Sequence, residues 1–204
     1  MICLPRLYAI VDSSCFPNSG SLLEFVEGLM SGGVTLLQYR NKTDSARVML
    51  QHARDIRKLV GHHAKLIMND RADLCLAARF EGVHVGQDDL SADSVRALIG
   101  DSRWLGVSTH NPAQIAEADK TSANYVAIGP VFATSSKEKP DPVVGLDGIR
   151  LARSLTEKPL VAIGGITHYN APEVIGAGAD SVAVISSLLR SPRKSAEEFF
   201  RILR

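Results

Sequence analysis

Gln38, Arg40 and Lys42 alternate along the chain, so an extended backbone would send all three side chains off one face. Arg40, Lys42 and a third cation, Lys137, could together hold an anion, because Arg offers a planar fork and Lys a point charge. Phosphate or diphosphate is the natural partner. Asp70 and Asp89 are two carboxylates that would suit Mg2+ beside a polyphosphate, since that ion takes one or two carboxylates plus phosphate oxygens and water. Gly164-Gly165 and Ser186-Ser187 are small and could bring backbone N–H groups close to a second phosphate. Each has a plainer reading. Lys137 could be a solvated loop residue, Asp70 could pair with Arg71, Asp88 or Asp89 could cap a following helix, and Gly-Gly could be a tight turn.

For these residues to meet, the fold must gather the ends of many elements. Eight short apolar runs supply them: Leu7–Val11, Thr35–Tyr39, Lys65–Met68, Gly82–Val85, Trp104–Val107, Tyr125–Ile128, Pro159–Ile163 and Ser181–Ile185. Several are apolar on successive residues, as strands covered on both faces should be. Helical patterns alternate with them, at Ser21–Met30, Ala46–Val60, Leu74–Phe80, Asp93–Ile99, Pro112–Ala118, Leu146–Leu155, Ala171–Ile175 and Lys194–Leu203. Pro112, Pro172 and Pro192 stand where helices would begin. Strict strand–helix alternation implies parallel strands, and eight of them close a (β/α)8 TIM barrel, here one catalytic domain over 1–204. No GxGxxG follows the first strand, which disfavours an open dinucleotide-binding sheet.

Such barrels work at the C-terminal ends of their strands. There this chain places Asp12, Gln38, Arg40, Asn69, Asp70, Asp89, Ser108, His110, Thr134, Gly165 and Ser186. The opposite rim is bland, and His62-His63 falls on it. The one long irregular stretch, Ala133–Val144, follows the sixth strand on the functional side. His110 is a lone acid–base candidate, better suited to orienting its loop. No nucleophile triad and no zinc-ligand spacing stands out. Two anionic subsites result, and charge neutralisation rather than a base is what departure of a diphosphate needs.

Composition narrows the class. With 45% hydrophobic and 22% charged residues, the chain is globular. A net charge of +1 argues against a general nucleic-acid binder. The cysteines Cys3, Cys15 and Cys75 have no CxxC spacing and suit a reducing compartment. No signal peptide or membrane-length apolar run is visible, so a cytoplasmic protein is expected, without membrane partners and compatible with a homo-oligomer.

Six motifs complete the picture: Gln38-Tyr39-Arg40-Asn41-Lys42; Met68-Asn69-Asp70-Arg71; Val83-His84-Val85-Gly86-Gln87-Asp88-Asp89; Gly106-Val107-Ser108-Thr109-His110; Gly129-Pro130-Val131-Phe132-Ala133-Thr134-Ser135-Ser136-Lys137; and Ala162-Ile163-Gly164-Gly165-Ile166. Together, and in order over nearly the whole chain, they resemble the thiamine-phosphate synthase family. The resemblance implies a transferase that joins a hydroxymethylpyrimidine diphosphate to a thiazole phosphate (or its carboxylate form) and releases diphosphate. It implies that Gln38, Arg40, Lys42, Asn69, Ser108 and Lys137 bind the pyrimidine diphosphate, with Arg40, Lys42, Ser108 and Lys137 acting in catalysis, and that Tyr39, Asn41 and Ser135 are also substrate-binding. It assigns one Mg2+ per active site to Asp70 and Asp89. Thr134, Ser136, Gly165, Ile185 and Ser186 would bind the thiazole phosphate. Asn41 replaces the acidic residue common in the family, and Ser136 a common Thr. The alternatives are a thiazole tautomerase on the same barrel and a non-catalytic phosphate-ligand sensor; the intact set of Asn69, Asp70, Asp89 and Lys137 favours the synthase.

Overall fold

Short β-branched and aromatic runs separated by capped helices give strands that cannot pair by hairpins, so each must return through a crossover. The computed structural model describes residues 2–134 and 141–204. Its strands are β1 (Leu7–Asp12), β2 (Leu36–Arg40), β3 (Lys65–Asn69), β4 (Gly82–Val85), β5 (Trp104–Thr109), β6 (Tyr125–Ile128), β7 (Leu160–Ile163) and β8 (Ser181–Val184). They form a closed parallel barrel in sequence order, with β8 pairing β1 through Leu7–Val182 and Ala9–Val184.

The helices α1 (Ser19–Ser31), α2 (Ala46–Val60), α3 (Ala72–Ala78), α4 (Ala92–Ile99), α5 (Pro112–Lys120), α6 (Gly145–Leu155), α7 (Ala171–Gly176), α8 (Ser186–Leu189) and α9 (Pro192–Ile202) surround it. Asn18, Ser45, Ser91 and Asn111 cap α1, α2, α4 and α5 with side-chain oxygens, each satisfying an otherwise orphaned N–H. All three expected prolines stand in first turns, Pro112, Pro172 and Pro192. The helix expected over Leu74–Phe80 stops at Ala78, because Arg79 takes a left-handed φ of 58°. The four-residue α8 directly after β8 is too short to show a period in the sequence. Among the described residues no helix is long and apolar enough to cross a membrane.

Strand alternation divides the core. Ala9, Val11, Leu37, Tyr39, Leu66 and Met68 join the large layer between barrel and helices. Tyr8, Ile10, Leu36, Ile67, Tyr125, Ala127, Val161 and Ala183 fill the barrel interior. The Tyr125 ring and the His84 imidazole stack in this narrow space because glycine stands against them. A Cβ built on Gly106 of β5 would overlap the Tyr125 ring and press on His84 Nδ1. Gly106→Ala is therefore expected to lower stability by about 1–3 kcal/mol, the usual cost of overpacking. A urea titration checks this, and an unchanged midpoint would contradict it.

Candidate active site

A cavity of about 530 Å³ opens at the C-terminal ends of the strands. Gln38, Arg40, Lys42, Asn69, Asp70, Asp89, Ser108, Thr134, Gly165, Ile185 and Ser186 all line it. Far apart along the chain, these residues are brought to one mouth by barrel closure. Tyr39 and Asn41 lie outside the lining. They sit one position out of phase with Gln38 and Arg40, so Tyr39 packs in the helix layer, bonded to His52 Nδ1 at 2.9 Å, and Asn41 donates to the Tyr39 hydroxyl and to Asp44. Burial holds the Tyr39 hydroxyl's pKa up at about 12. Ser135, Ser136 and Lys137, with the middle of the 133–144 stretch, lie outside the described residues.

The charges at the mouth are paired. Arg40 donates to the buried Asp12 carboxylate, which also accepts from Ser14 N and Oγ. Asp12 ends β1 opposite Arg40 in the ladder, so register alone sets up this pair. Lys42 donates to Asp70. Asp70 does not pair with Arg71, which turns outward to Asp73 at 2.5 Å. Nor does Asp89 cap α4, since Ser91 does so; Asp89 accepts from Gly86 N at 2.7 Å. Burial raises the Asp70 pKa, Lys42 pulls it back, and the neighbouring Asp89 carboxyl raises it again. Asp70 also holds a φ of 60°, uncommon outside glycine and typical of positions where surroundings impose the conformation.

Two further features suit a ligand. Asn69 Nδ2 is buried without a hydrogen-bond partner among the described residues, although such groups are normally satisfied. Two carboxylates side by side, with a lysine as present counter-ion, fit a cation that completes its shell with phosphate oxygens and water. Among the described residues no group of three or more His, Cys, Asp or Glu gathers as a metal cluster.

On the far side, β7 leads into Gly164 (φ 102°) and Gly165 (φ 64°). A Cβ on Gly165 would fall 2.6 Å from Ala133 O and 2.8 Å from Phe132 Cβ. Glycine is thus needed here for its φ and for close packing on the segment leading to Thr134. The loops after β7 and β8 and the short α8 beginning at Ser186 form the arrangement in which such barrels bind phosphate. His110 Nδ1 meets Gly129 O at 2.6 Å and its Nε2 lies 3.5 Å from Asp141, so it ties the loops after β5 and β6 together.

The sequence alone assigned no role to Asp12, Tyr8, Tyr125 or His84. Asp12 was visible as an acid at a strand end. The other three lie inside apolar runs and read as core. Burial pushes the Tyr8 and Tyr125 hydroxyls well above the ordinary range and depresses His84 to about 4, so His84 is neutral at physiological pH.

Asp70 carries a sign that can be tested. Its raised pKa means that its contribution to folding is full below about 3.8 and is lost as pH rises through the folded value. At neutral pH the buried charge is a net cost. Asp70→Asn should therefore raise the thermal midpoint in chelator at pH 7, helped by the tolerance of Asn for positive φ. A lower midpoint would show that the exposed Lys42 partner outweighs the desolvation.

Comparison with known proteins agrees with the geometry. The model of the family described as thiamine monophosphate synthase matches residues 7–188. The thiamine-phosphate synthase of Koribacter versatilis is 58% identical over 203 residues, covering 98% of this chain and 96% of that protein. That of Caldicellulosiruptor bescii is 40% identical over 192 residues, covering 93% and 88%. The solved thiamine phosphate pyrophosphorylase from Pyrococcus furiosus superposes with a TM-score of 0.86 at 33% identity, covering 97% of this chain and 95% of its own. On a closed barrel whose strand ends gather this charged mouth, and with relatives of that identity along nearly its full length, the chain belongs to the thiamine-phosphate synthase family of transferases.

Proposed function

We propose that this enzyme condenses a 4-amino-5-hydroxymethylpyrimidine diphosphate with a thiazole phosphate, or its carboxylate form, to give thiamine phosphate and diphosphate. The observation that carries the assignment is the Lys42–Asp70 pair with Asp89 beside it and the unsatisfied Asn69 amide in the same cavity. An acceptor-rich anion satisfies the cations and the amide, and a cation satisfies the carboxylates.

In the reaction the bond between the pyrimidine methylene carbon and the diphosphate oxygen breaks, and its electron pair leaves with the diphosphate. A pyrimidinylmethyl cation results, and the thiazole nitrogen supplies the pair for the new C–N bond. Arg40, Lys42, Asn69, Ser108 and Lys137 hold the leaving group, and Gln38 orients the pyrimidine. Thr134, Ser136, Gly165, Ile185 and Ser186 hold the thiazole phosphate on the opposite side. Preorganised donors aimed at developing charge lower the barrier more than any other device open to such a site. Asp70 and Asp89 would hold Mg2+; when bound, that ion supplies further neutralisation of the diphosphate charge. The presence of the whole carboxylate and amide set in one cavity favours the synthase over a tautomerase or a silent sensor. The exposed Cys3 and Cys15 thiols suit action in a reducing cytoplasm.

Incubation with both substrates and Mg2+ should release one diphosphate per thiamine phosphate; no release would overturn the assignment. Asp89→Asn keeps an acceptor for Gly86 N and should leave stability unchanged while lowering turnover about 10²–10³-fold and weakening Mg2+ dependence. Unaltered kinetics would remove Asp89 from the site. Lys137→Ala should reduce kcat more than it raises KM for the thiazole phosphate, and the reverse pattern would place Lys137 in the other subsite.

A further inference from the structure

Five polar side chains from five strands cross the floor of the cavity in one line. Gln38 Nε2 on β2 donates to the Tyr8 hydroxyl on β1 at 2.8 Å. The Tyr8 hydroxyl lies 3.0 Å from that of Tyr125 on β6. The Tyr125 hydroxyl lies 3.1 Å from His84 Nδ1 on β4, and His84 Nε2 lies 2.8 Å from Ser108 Oγ on β5. Gln38, Tyr8, Tyr125 and His84 are buried, and only Ser108 at the far end is partly exposed. Tyr125 does not line the cavity, so it acts on a ligand only through its neighbours. Gly106 leaves open the space that the Tyr125–His84 bond occupies.

Counting hydrogens fixes the direction of this line. Gln38 donates to Tyr8, whose single hydroxyl hydrogen is then available for Tyr125. If His84 carries its hydrogen on Nε2, Tyr125 donates to Nδ1, Nε2–H donates to Ser108 Oγ, and both phenolic hydrogens are used. If the hydrogen sits on Nδ1, Tyr125 must accept it, and one of the two phenolic hydrogens has no acceptor in the line. A doubly protonated ring strands the same hydrogen and buries a charge with no carboxylate bonded to it. Buried polar groups are normally satisfied, and only the first arrangement satisfies all of these.

We propose that Tyr125 and His84 are positioning residues: the chain runs one way from Gln38 to Ser108, fixes His84 as the Nε2–H tautomer, and so presents the Ser108 hydroxyl to the cavity as a donor. Because Ser108 Oγ is occupied as an acceptor by His84, its own hydrogen has no partner in the line and is offered to a ligand. A diphosphate, which only accepts, matches that end. The kinetic part of this inference rests on the diphosphate reading of the site; the tautomer does not.

Nitrogen-15 NMR of the wild-type protein tests the tautomer directly, with the His84 signals assigned by their loss in His84→Asn. A pyrrole-type Nε2 and a pyridine-type Nδ1 are expected; the opposite pair of shifts overturns the proposal whatever the enzyme's substrates are. In the two-substrate assay Tyr125→Phe should lower kcat/KM for the pyrimidine diphosphate about tenfold, the worth of one hydrogen bond. In a Ser108→Ala background the same change should cost nothing further, because the donor it orients is gone. Equal losses in both backgrounds would show a merely structural role for Tyr125 and overturn the proposal.

Discussion

Closing eight parallel strands into a ring leaves each strand one side chain in two for the interior, and of these only the ones at the two rims, such as Lys65 at one end and Arg40 at the other, reach solvent. The rest of the structure depends on that restriction. The interior cluster is small and is plugged by two tyrosines and short aliphatics, whereas the layer beneath the helices holds most of the core. The polar groups that cannot be buried without partners are therefore pushed to one rim. Arg40, Asn69, Ser108 and Ile163 are each the last or near-last inward residue of a strand, and together they edge a single cavity.

Charges concentrated in this way must be compensated even in the free protein. Asp12 and Asp70 do this for Arg40 and Lys42. The two pairs differ in a way that bears on function. Asp12 is buried, anchored by Ser14 and in register with Arg40, so it fixes the guanidinium in place. The Lys42 side chain is 47% exposed and that of Asp70 16%, so the second pair is open to solvent on its lysine side and screened there. The first pair acts as scaffold. In the proposed function the second would part, giving an ammonium to an anion and a carboxylate to a cation. The proposed binding of Mg2+ and diphosphate is an exchange of partners within charges already assembled.

Most of this frame was legible in the residues. Apolar runs located the eight strands, and the polar residues just past each run located the mouth. Three things were hidden, each for a physical reason. Tyr39 and Asn41 belong to a contiguous motif, but strand alternation turns them from the cavity toward the helices. The Tyr8–Tyr125 and Tyr125–His84 contacts join residues 117 and 41 positions apart, and nothing in an apolar run marks a hydroxyl or imidazole as one link of a chain. At Gly165 the close packing of Ala133 O and Phe132, which leaves no room for a side chain, comes from a segment some thirty residues earlier that the Gly-Gly pair does not announce.

Calorimetric titration of inorganic diphosphate into the ligand-free enzyme tests most directly whether the Lys42–Asp70 pair exchanges partners on binding, as proposed. One site per chain is expected, with affinity rising about tenfold or more when Mg2+ is present, because Asp70 would then hold the cation and leave Lys42 to the anion. Equal affinity with and without Mg2+ would contradict that exchange.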